Sequence, residues 1–430
     1  MTVGYPKCAC DATHEPVVQF RDQRALWQVR ERWSERFADP AAPDWFALER
    51  DSRAECVKRG YARATWRVTL GDQLVYAKVF DDGGLVNYLK RYLLGGGAEK
   101  EWRASREAER RGIPVAHALA LGTSCGRPRR EVFLSQDVGS AVNLAEIWER
   151  EVVSSSAGTR RAAGAPLIEA AGTLFATAHE RGFVHGDAHP NNILVRAPRG
   201  GRHGLFFVDV HSARVNNQPA SVKRSVESLA QLDNYFRRRA TRSERLRFLR
   251  VYLRQRPSMA RYVAEPFRLR GLLSNLARHA RAGAARLART RDRRLRGDGK
   301  YFCRLALGDG WRVAAVLRLE RRHVFPEAGV PDRSESDWRA LLSPLLAQGH
   351  AAFIDGDSIA AGKVCLDLKK LESFWERLSA TLRGSVHRRI FEQCHRLRHR
   401  DVAADLILGC LEHRRSGLVD ATVLIHPPKG

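Results

Sequence analysis

The sequence predicts an α+β protein: a strand-rich block, then a helical block, then a further mixed unit. Three observations carry this. Between residues 55 and 80, three short runs rich in Val, Thr, Tyr and Phe alternate with small-residue turns, the pattern of an antiparallel meander. From Pro166 to Arg181, and again from about residue 214 to 290, apolar residues recur at helical spacing. Beyond residue 300, strand-like and helix-like runs return. The 430 residues suit two or three domains at ~150 residues each.

Residues 1–48 read as an N-terminal extension, partly helical, carrying Trp27, Trp33 and Trp45. The strand-rich block spans 49–137. Within it, Glu55–Lys58 is a strand, residues 59–64 a small-residue turn, Thr65–Leu70 a second strand, Gly71-Asp72 a turn and Leu74–Phe80 a third strand. Residues 98–111 form a helix that Gly112 and Pro114 stop. Ala118–Leu121 and Val132–Ser135 are two further strands. The helical block spans 138–295. A helix starts at Asn143, residues 154–158 form a loop, and an apolar helix runs from Pro166 to Arg181 and ends at Gly182. Residues 205–208 form a short apolar strand ending at Asp209.

Composition removes several classes. Apolar residues are 44% and charged residues 28%, which excludes collagen, coiled coil and wholesale disorder. No apolar run reaches the ~20 residues that span a bilayer. The first sixteen residues lack an apolar signal core, so the expectation is a cytoplasmic protein. The eight cysteines form no Cys-x-x-Cys pair, and Cys8-x-Cys10 with His14 is at most half a metal site.

The charge is +26, with 63 Arg and 11 Lys. Such a balance favours an anionic partner: a phosphorylated sugar, an acidic membrane surface or nucleic acid. Nucleic acid has no motif of its own here and is not the expected partner. Residues 237–300 hold 21 basic and 4 acidic side chains. They read either as solvated faces of packed helices or as an anion-binding surface.

One constellation carries chemistry. Phosphoryl transfer needs a Lys for the nucleotide phosphates and a Glu to hold it. It also needs an Asp to receive the proton of the attacking hydroxyl, and an Asn and a second Asp to hold magnesium. The chain offers Lys78 on the third strand and Glu101 on the next helix, with Glu99 as a neighbouring alternative. Asp187 follows an apolar helix, Asn192 lies five residues on, and Asp209 ends an apolar strand. Each residue alone has a structural explanation; the joint order and spacing do not arise easily by chance.

The run His185-Gly186-Asp187-Ala188-His189-Pro190-Asn191-Asn192-Ile193-Leu194 resembles the catalytic loop of the protein-kinase-like superfamily. The Gly after the first His, and the second His, are similar to its small-molecule branch. Three wider stretches resemble the lipopolysaccharide core kinases, the heptose and Kdo kinase family: residues 75–78 with 88–91, residues 101–104 leading to 111–115, and residues 208–214, with Asp-x-His in place of Asp-Phe-Gly. The resemblance covers about residues 50–260. It implies a two-lobed protein-kinase-like fold and an ATP- and Mg2+-dependent phosphotransferase. Asp187 would be the catalytic base, Asn192 and Asp209 the metal ligands, and Lys78, paired with Glu101, the phosphate contact. Arg59 and Gly60 would lie at the phosphate-covering turn, and the backbone of Gln136, Asp137 and Val138 would face adenine. The turn has one glycine rather than three, and His211 replaces Phe-Gly, so no Phe-driven switch is expected. His185 and His189 read as holding the loop by hydrogen bonds rather than as catalysts.

Residues 300–430 lie beyond one kinase domain. Residues 364–369 are similar to 75–78, and residues 388–408 to 101–121. A hairpin follows at 414–426. This segment reads either as a degenerate second N-lobe-like unit without a catalytic Asp or as an unrelated α+β appendage. The leading functional expectation is a kinase of a hydroxyl on a bacterial surface glycolipid sugar, a heptose or Kdo, working at the inner membrane face. The alternatives are a protein or small-metabolite kinase of the same fold, and a pseudokinase-like basic binding module.

Overall fold

A computed structural model gives the structure of this protein and describes residues 15–39, 41–59, 63–81, 96–126, 129–199, 202–318, 332–347, 364–400 and 402–427. The chain divides into two compact units, Met1–Ala280 and Arg281–Gly430.

The first unit begins with β1 (Val17–Arg21), β2 (Ala25–Arg30), β3 (Ala54–Arg59), β4 (Arg63–Leu70), β5 (Gln73–Asp81), helix α1 (Gly97–Arg110), β6 (Ala118–Ser124) and β7 (Arg130–Gln136). The strands form one antiparallel sheet in the order β1-β2-β6-β7-β5-β4-β3. The meander forms where the sequence places it. On β4, Trp66, Val68 and Leu70 are buried while Arg67 and Thr69 are exposed, the period-two pattern of a half-covered sheet. On α1, Ala98, Glu101, Trp102, Ser105, Ala108 and Glu109 share the buried face. Trp102 packs with Leu121 and Phe133, which seats the helix on the sheet.

The N-terminal segment corrects the sequence reading. Besides short helical turns it supplies β1 and β2, which extend the sheet through β6. Asp22 makes the turn: its carboxylate accepts from the backbone of Arg24 and Ala25 and from Trp27 Nε1. Trp27, Trp33 and Trp45 are all buried and build the sheet core with Phe37 and Leu48. Trp27 lies flat against β6 because residue 122 is glycine; a Cβ there would sit 2.5 Å from the indole ring.

The rest of the unit is β8 (Ala141–Asn143), a turn of helix at Leu144–Ile147, α2 (Ala157–Glu180), β9 (Phe183–Val184), β10 (Ile193–Arg199), β11 (Arg202–Phe207), β12 (Arg214–Val215), α3 (Val222–Phe236), α4 (Arg242–Arg254) and α5 (Pro266–Arg294), within which the unit boundary falls. Strands β11-β10-β8 form a small sheet and β12-β9 a ribbon. Leu167, Ile168, Ala171, Leu174 and Phe175 of α2 form the core with Val226, Leu229, Leu249 and Tyr252. α2 begins at Ala157, not at Pro166, so the expected loop at 154–158 is shorter. Ser154 and Ser155 end the preceding turns by donating to the carbonyls of Arg150 and Glu151, and Pro166 is carried inside the helix.

The second unit contains β13 (Phe302–Gly308), β14 (Trp311–Val316), α6 (Glu335–Ala347), β15 (Cys365–Lys370), α7 (Phe374–Arg383), α8 (Val386–His399), β16 (Gly409–Arg415) and β17 (Leu418–His426). Its antiparallel sheet runs β13-β14-β16-β17-β15. From the other edge the order is β15-β17-β16-β14-β13. This is the succession β5-β7-β6-β2-β1 of the first unit, where α1 lies between β5 and β6 and both α7 and α8 lie between β15 and β16. The helix expected over 388–408 ends at His399; residues 402–408 are not helical.

Candidate active site

The third strand of the meander delivers Lys78. Its register, Lys78 opposite Thr65 and Phe133, directs the side chain to the sheet face that α1 covers. There Lys78 Nζ meets Glu101 Oε1 at 2.5 Å. Glu101 is 2% exposed, and its second oxygen is buried with no hydrogen-bond partner among the described residues. Glu99, the alternative two residues earlier and so about half a turn round the helix, pairs with Arg103 on the exposed side of α1.

Lys78 Nζ also reaches Asp209 Oδ1, at 3.3 Å. Asp209 stands just past β11 in left-handed backbone, φ 60° and ψ 46°, a conformation that Asp tolerates better than most residues. Its carboxylate is ringed by donors. Arg63 from β4 contacts both oxygens, at 2.9 and 3.3 Å, and His211 Nδ1 lies 2.9 Å from Oδ1. Burial alone would raise the Asp209 pKa. His211, Lys78 and Arg63 reverse this and hold the carboxyl well below the usual carboxylate range.

The catalytic-loop residues are fixed by the elements around them. His185 Nε2 is 3.0 Å from the carbonyl oxygen of Val208, and the Asp187 amide donates to His185 Nδ1 at 3.1 Å. One buried imidazole therefore ties the Asp187 loop to the residue preceding Asp209. Burial pushes the His185 pKa down, which keeps the ring neutral for both bonds. His189 caps the following turn by accepting from the Asn191 amide. Both histidines thus act as the sequence suggested, as loop supports. Gly186 is required by contact: a Cβ there would lie 2.1 Å from the Ser212 carbonyl oxygen. Asn192 Nδ2 donates to the Asp187 backbone oxygen at 2.9 Å and to its Oδ2 at 3.0 Å. That leaves Asn192 Oδ1 as a free oxygen donor.

Two functional contacts lie outside the sequence reading. Gln231 of α3 accepts from the Ala188 amide and donates to the Gly186 carbonyl, clamping the loop from a distant helix. Arg63 is the cation that enters the site. Arg59, expected there, is exposed and stacks over Trp66 at 5.4 Å. Gly60 and residues 88–91 lie outside the described residues. Gln136, Asp137 and Val138 follow the end of β7 as expected. The Gln136 amide donates to the His117 carbonyl and the Asp137 amide to that of Leu74.

The chemistry of the donor set fits a hard divalent cation. The carboxylate of Asp209 and the free oxygen of Asn192 are oxygen ligands of the kind magnesium takes. Glu101, Asp209 and His211 also bring ligand atoms within 4.8 Å of one another.

Comparison with known proteins gives one family match and one structural likeness. Residues 54–252 match the model of the lipopolysaccharide kinase (Kdo/WaaP) family. Among solved structures, the chain is similar to a structure described as WaaP in complex with acyl carrier protein, at 20% identity and a TM-score of 0.42, over 60% of this chain and 98% of that one. No curated protein matches. By the family match, the segment 54–252 of this chain is a member of the lipopolysaccharide kinase (Kdo/WaaP) family, and its enzyme class is phosphotransferase.

Proposed function

We propose that the first unit transfers the terminal phosphate of ATP to a hydroxyl of a lipopolysaccharide core sugar, a heptose or Kdo. The observation that carries this reading is Lys78, bonded at once to Glu101 and Asp209. A half-buried Lys held by a buried Glu beside a second carboxylate is the arrangement that phosphoryl transfer requires.

In this reading Lys78 binds the nucleotide phosphates and Glu101 fixes its ammonium. Asp187, its carboxylate oriented by Asn192, receives the proton of the acceptor hydroxyl. Asn192 and Asp209 would hold Mg2+, which neutralises the phosphate oxygens during transfer. The carbonyls near Gln136 to Val138 border adenine. The cationic surface serves an acceptor that is polyanionic, and the protein works at the inner face of the membrane, with no helix among the described residues long and apolar enough to cross it.

The fold reading is two-lobed, with the sheet and α1 as one lobe and the helical half as the other. The second unit reads as a degenerate copy of the strand-rich lobe. Its support is the shared strand order and the helix at the same place in it. Where the alignment puts Glu101, α8 has Arg388, which pairs with Glu392 and Glu412. A catalytic pair of the Lys78–Glu101 kind is thereby lost.

The test offers terminally labelled ATP and Mg2+ with a lipopolysaccharide extract beside a protein extract. Label in the glycolipid supports the reading. Label confined to protein favours a protein kinase. Label in neither, with ATP bound, favours a binding module.

A further inference from the structure

Helix α7 carries apolar residues on its solvent side. Phe374, Leu378 and Leu382 recur every fourth residue and Trp375 adjoins them, so the four share an arc of roughly 100°. The other side packs on the unit: Ala380 is buried, Arg377 Nε donates to the Leu371 carbonyl, and Thr381 accepts from the Val419 amide on β17. The outward residues are left open, with Phe374 59%, Trp375 74% and Leu382 75% exposed. Phe374 and Trp375 meet edge to face, centroids 5.5 Å apart. An amphipathic helix buries its apolar stripe; this one packs by its polar side.

The surroundings are cationic. Lys369 and Lys370 stand exposed on β15, the edge strand that leads into α7; Arg383 is exposed at the last position of α7 and Arg389 on α8. Over residues 369–389 there are six Lys and Arg against Glu372 and Glu376, a net +4. Glu376 is engaged in the capping box with Ser373.

We propose that α7 is an interfacial anchor that inserts Phe374, Trp375, Leu378 and Leu382 into an anionic phospholipid surface. A tryptophan-led stripe on a short helix, flanked by Lys and Arg, is the pattern of helices that lie in the headgroup layer. Four side chains on ten residues suffice for a reversible surface contact, not for a span. The anchor operates independently of phosphotransfer, so it can be tested without any sugar substrate.

The experiment is flotation of the full chain with vesicles of phosphatidylcholine alone or with one quarter phosphatidylglycerol. Wild type and Asp187→Asn should float equally with the anionic vesicles and little with the neutral ones. The triple variant Phe374→Ser/Trp375→Ser/Leu382→Ser should bind at least tenfold more weakly with an unchanged melting temperature, because the three side chains make no core contact. Lys369→Glu/Lys370→Glu should weaken binding at low salt and match wild type at high salt. Equal flotation of wild type and the triple variant would overturn the proposal. So would absence of flotation in wild type. A wild-type dimer that the triple variant converts to monomer, without vesicle binding, would also overturn it and assign the stripe to a second copy.

Discussion

Arg63 grips both carboxylate oxygens of Asp209 across 146 residues of sequence, at 2.9 and 3.3 Å. The contact joins the strand leading out of the phosphate-covering turn to the carboxylate read as a metal ligand. In the proposed function this guanidinium fork would face the nucleotide phosphates, where glycine-rich loops elsewhere present backbone amides. It also competes with a cation for Asp209. Arg63→Gln should therefore bind Mn2+ more tightly than wild type in the absence of nucleotide, and bind ATP on the order of 10-fold more weakly. Calorimetric titration of each ligand checks both directions. Unchanged affinities would reduce the contact to a surface ion pair.

Glu101→Gln removes the charge that positions Lys78 while keeping the side chain's shape. Transfer should fall on the order of 100-fold, in the range lost when a positioned electrostatic group is removed. Melting should change little, since the uncharged amide is also cheaper to bury. Steady-state rates beside a melting curve check this. Glu99→Gln, about half a turn away on the exposed side, should leave the rate within twofold.

Gly186→Ala places a Cβ against the Ser212 carbonyl oxygen. The loop must shift, so the bonds from His185 and Gln231 lengthen and Asp187 moves. Activity should fall by more than 10-fold, since small displacements at a reacting centre are costly. Gln231→Ala, which removes one clamp without a clash, should give a smaller loss in the same direction.

Acid should weaken the first unit through His179. This ring is fully enclosed, with Tyr252 Oη and Ser228 Oγ at its two nitrogens, and burial followed by the Arg256 charge pushes its pKa down to about 3. The folded state keeps the ring neutral while the unfolded chain protonates it near 6.5. The unfolded state thus binds more protons between pH 6.5 and 3, and stability is lost as pH falls through that window. Urea unfolding at a series of pH values checks the slope, which should be shallower in His179→Gln.

Much of this architecture was legible locally. The meander, α1 and the two hairpins announce themselves by alternation, periodicity and Gly/Pro stops. The contacts of Lys78 with Glu101 and Asp209, and of Asn192 with Asp187, link residues that the sequence singles out by their order along the chain. What escaped depends on distance. Strands β1 and β2 are short, five and six residues, and only their pairing with β6 makes them sheet. Arg59 and Arg63 are equivalent in sequence, and β4 decides which side chain reaches Asp209. Gln231 has no local signal at all; α3 packing brings it to the loop. The arginine excess hid the charge that mattered, one guanidinium among 63.

The central claim is that Asp187 acts as the base of a phosphotransfer site assembled by Lys78, Glu101 and Asp209. The most direct measurement compares wild type with Asp187→Asn in a single turnover of labelled ATP on lipopolysaccharide, with nucleotide affinity measured on the same samples. The account expects transfer to fall by at least 1000-fold with ATP affinity within threefold of wild type. An Asn variant that transfers phosphate at the wild-type rate would contradict it.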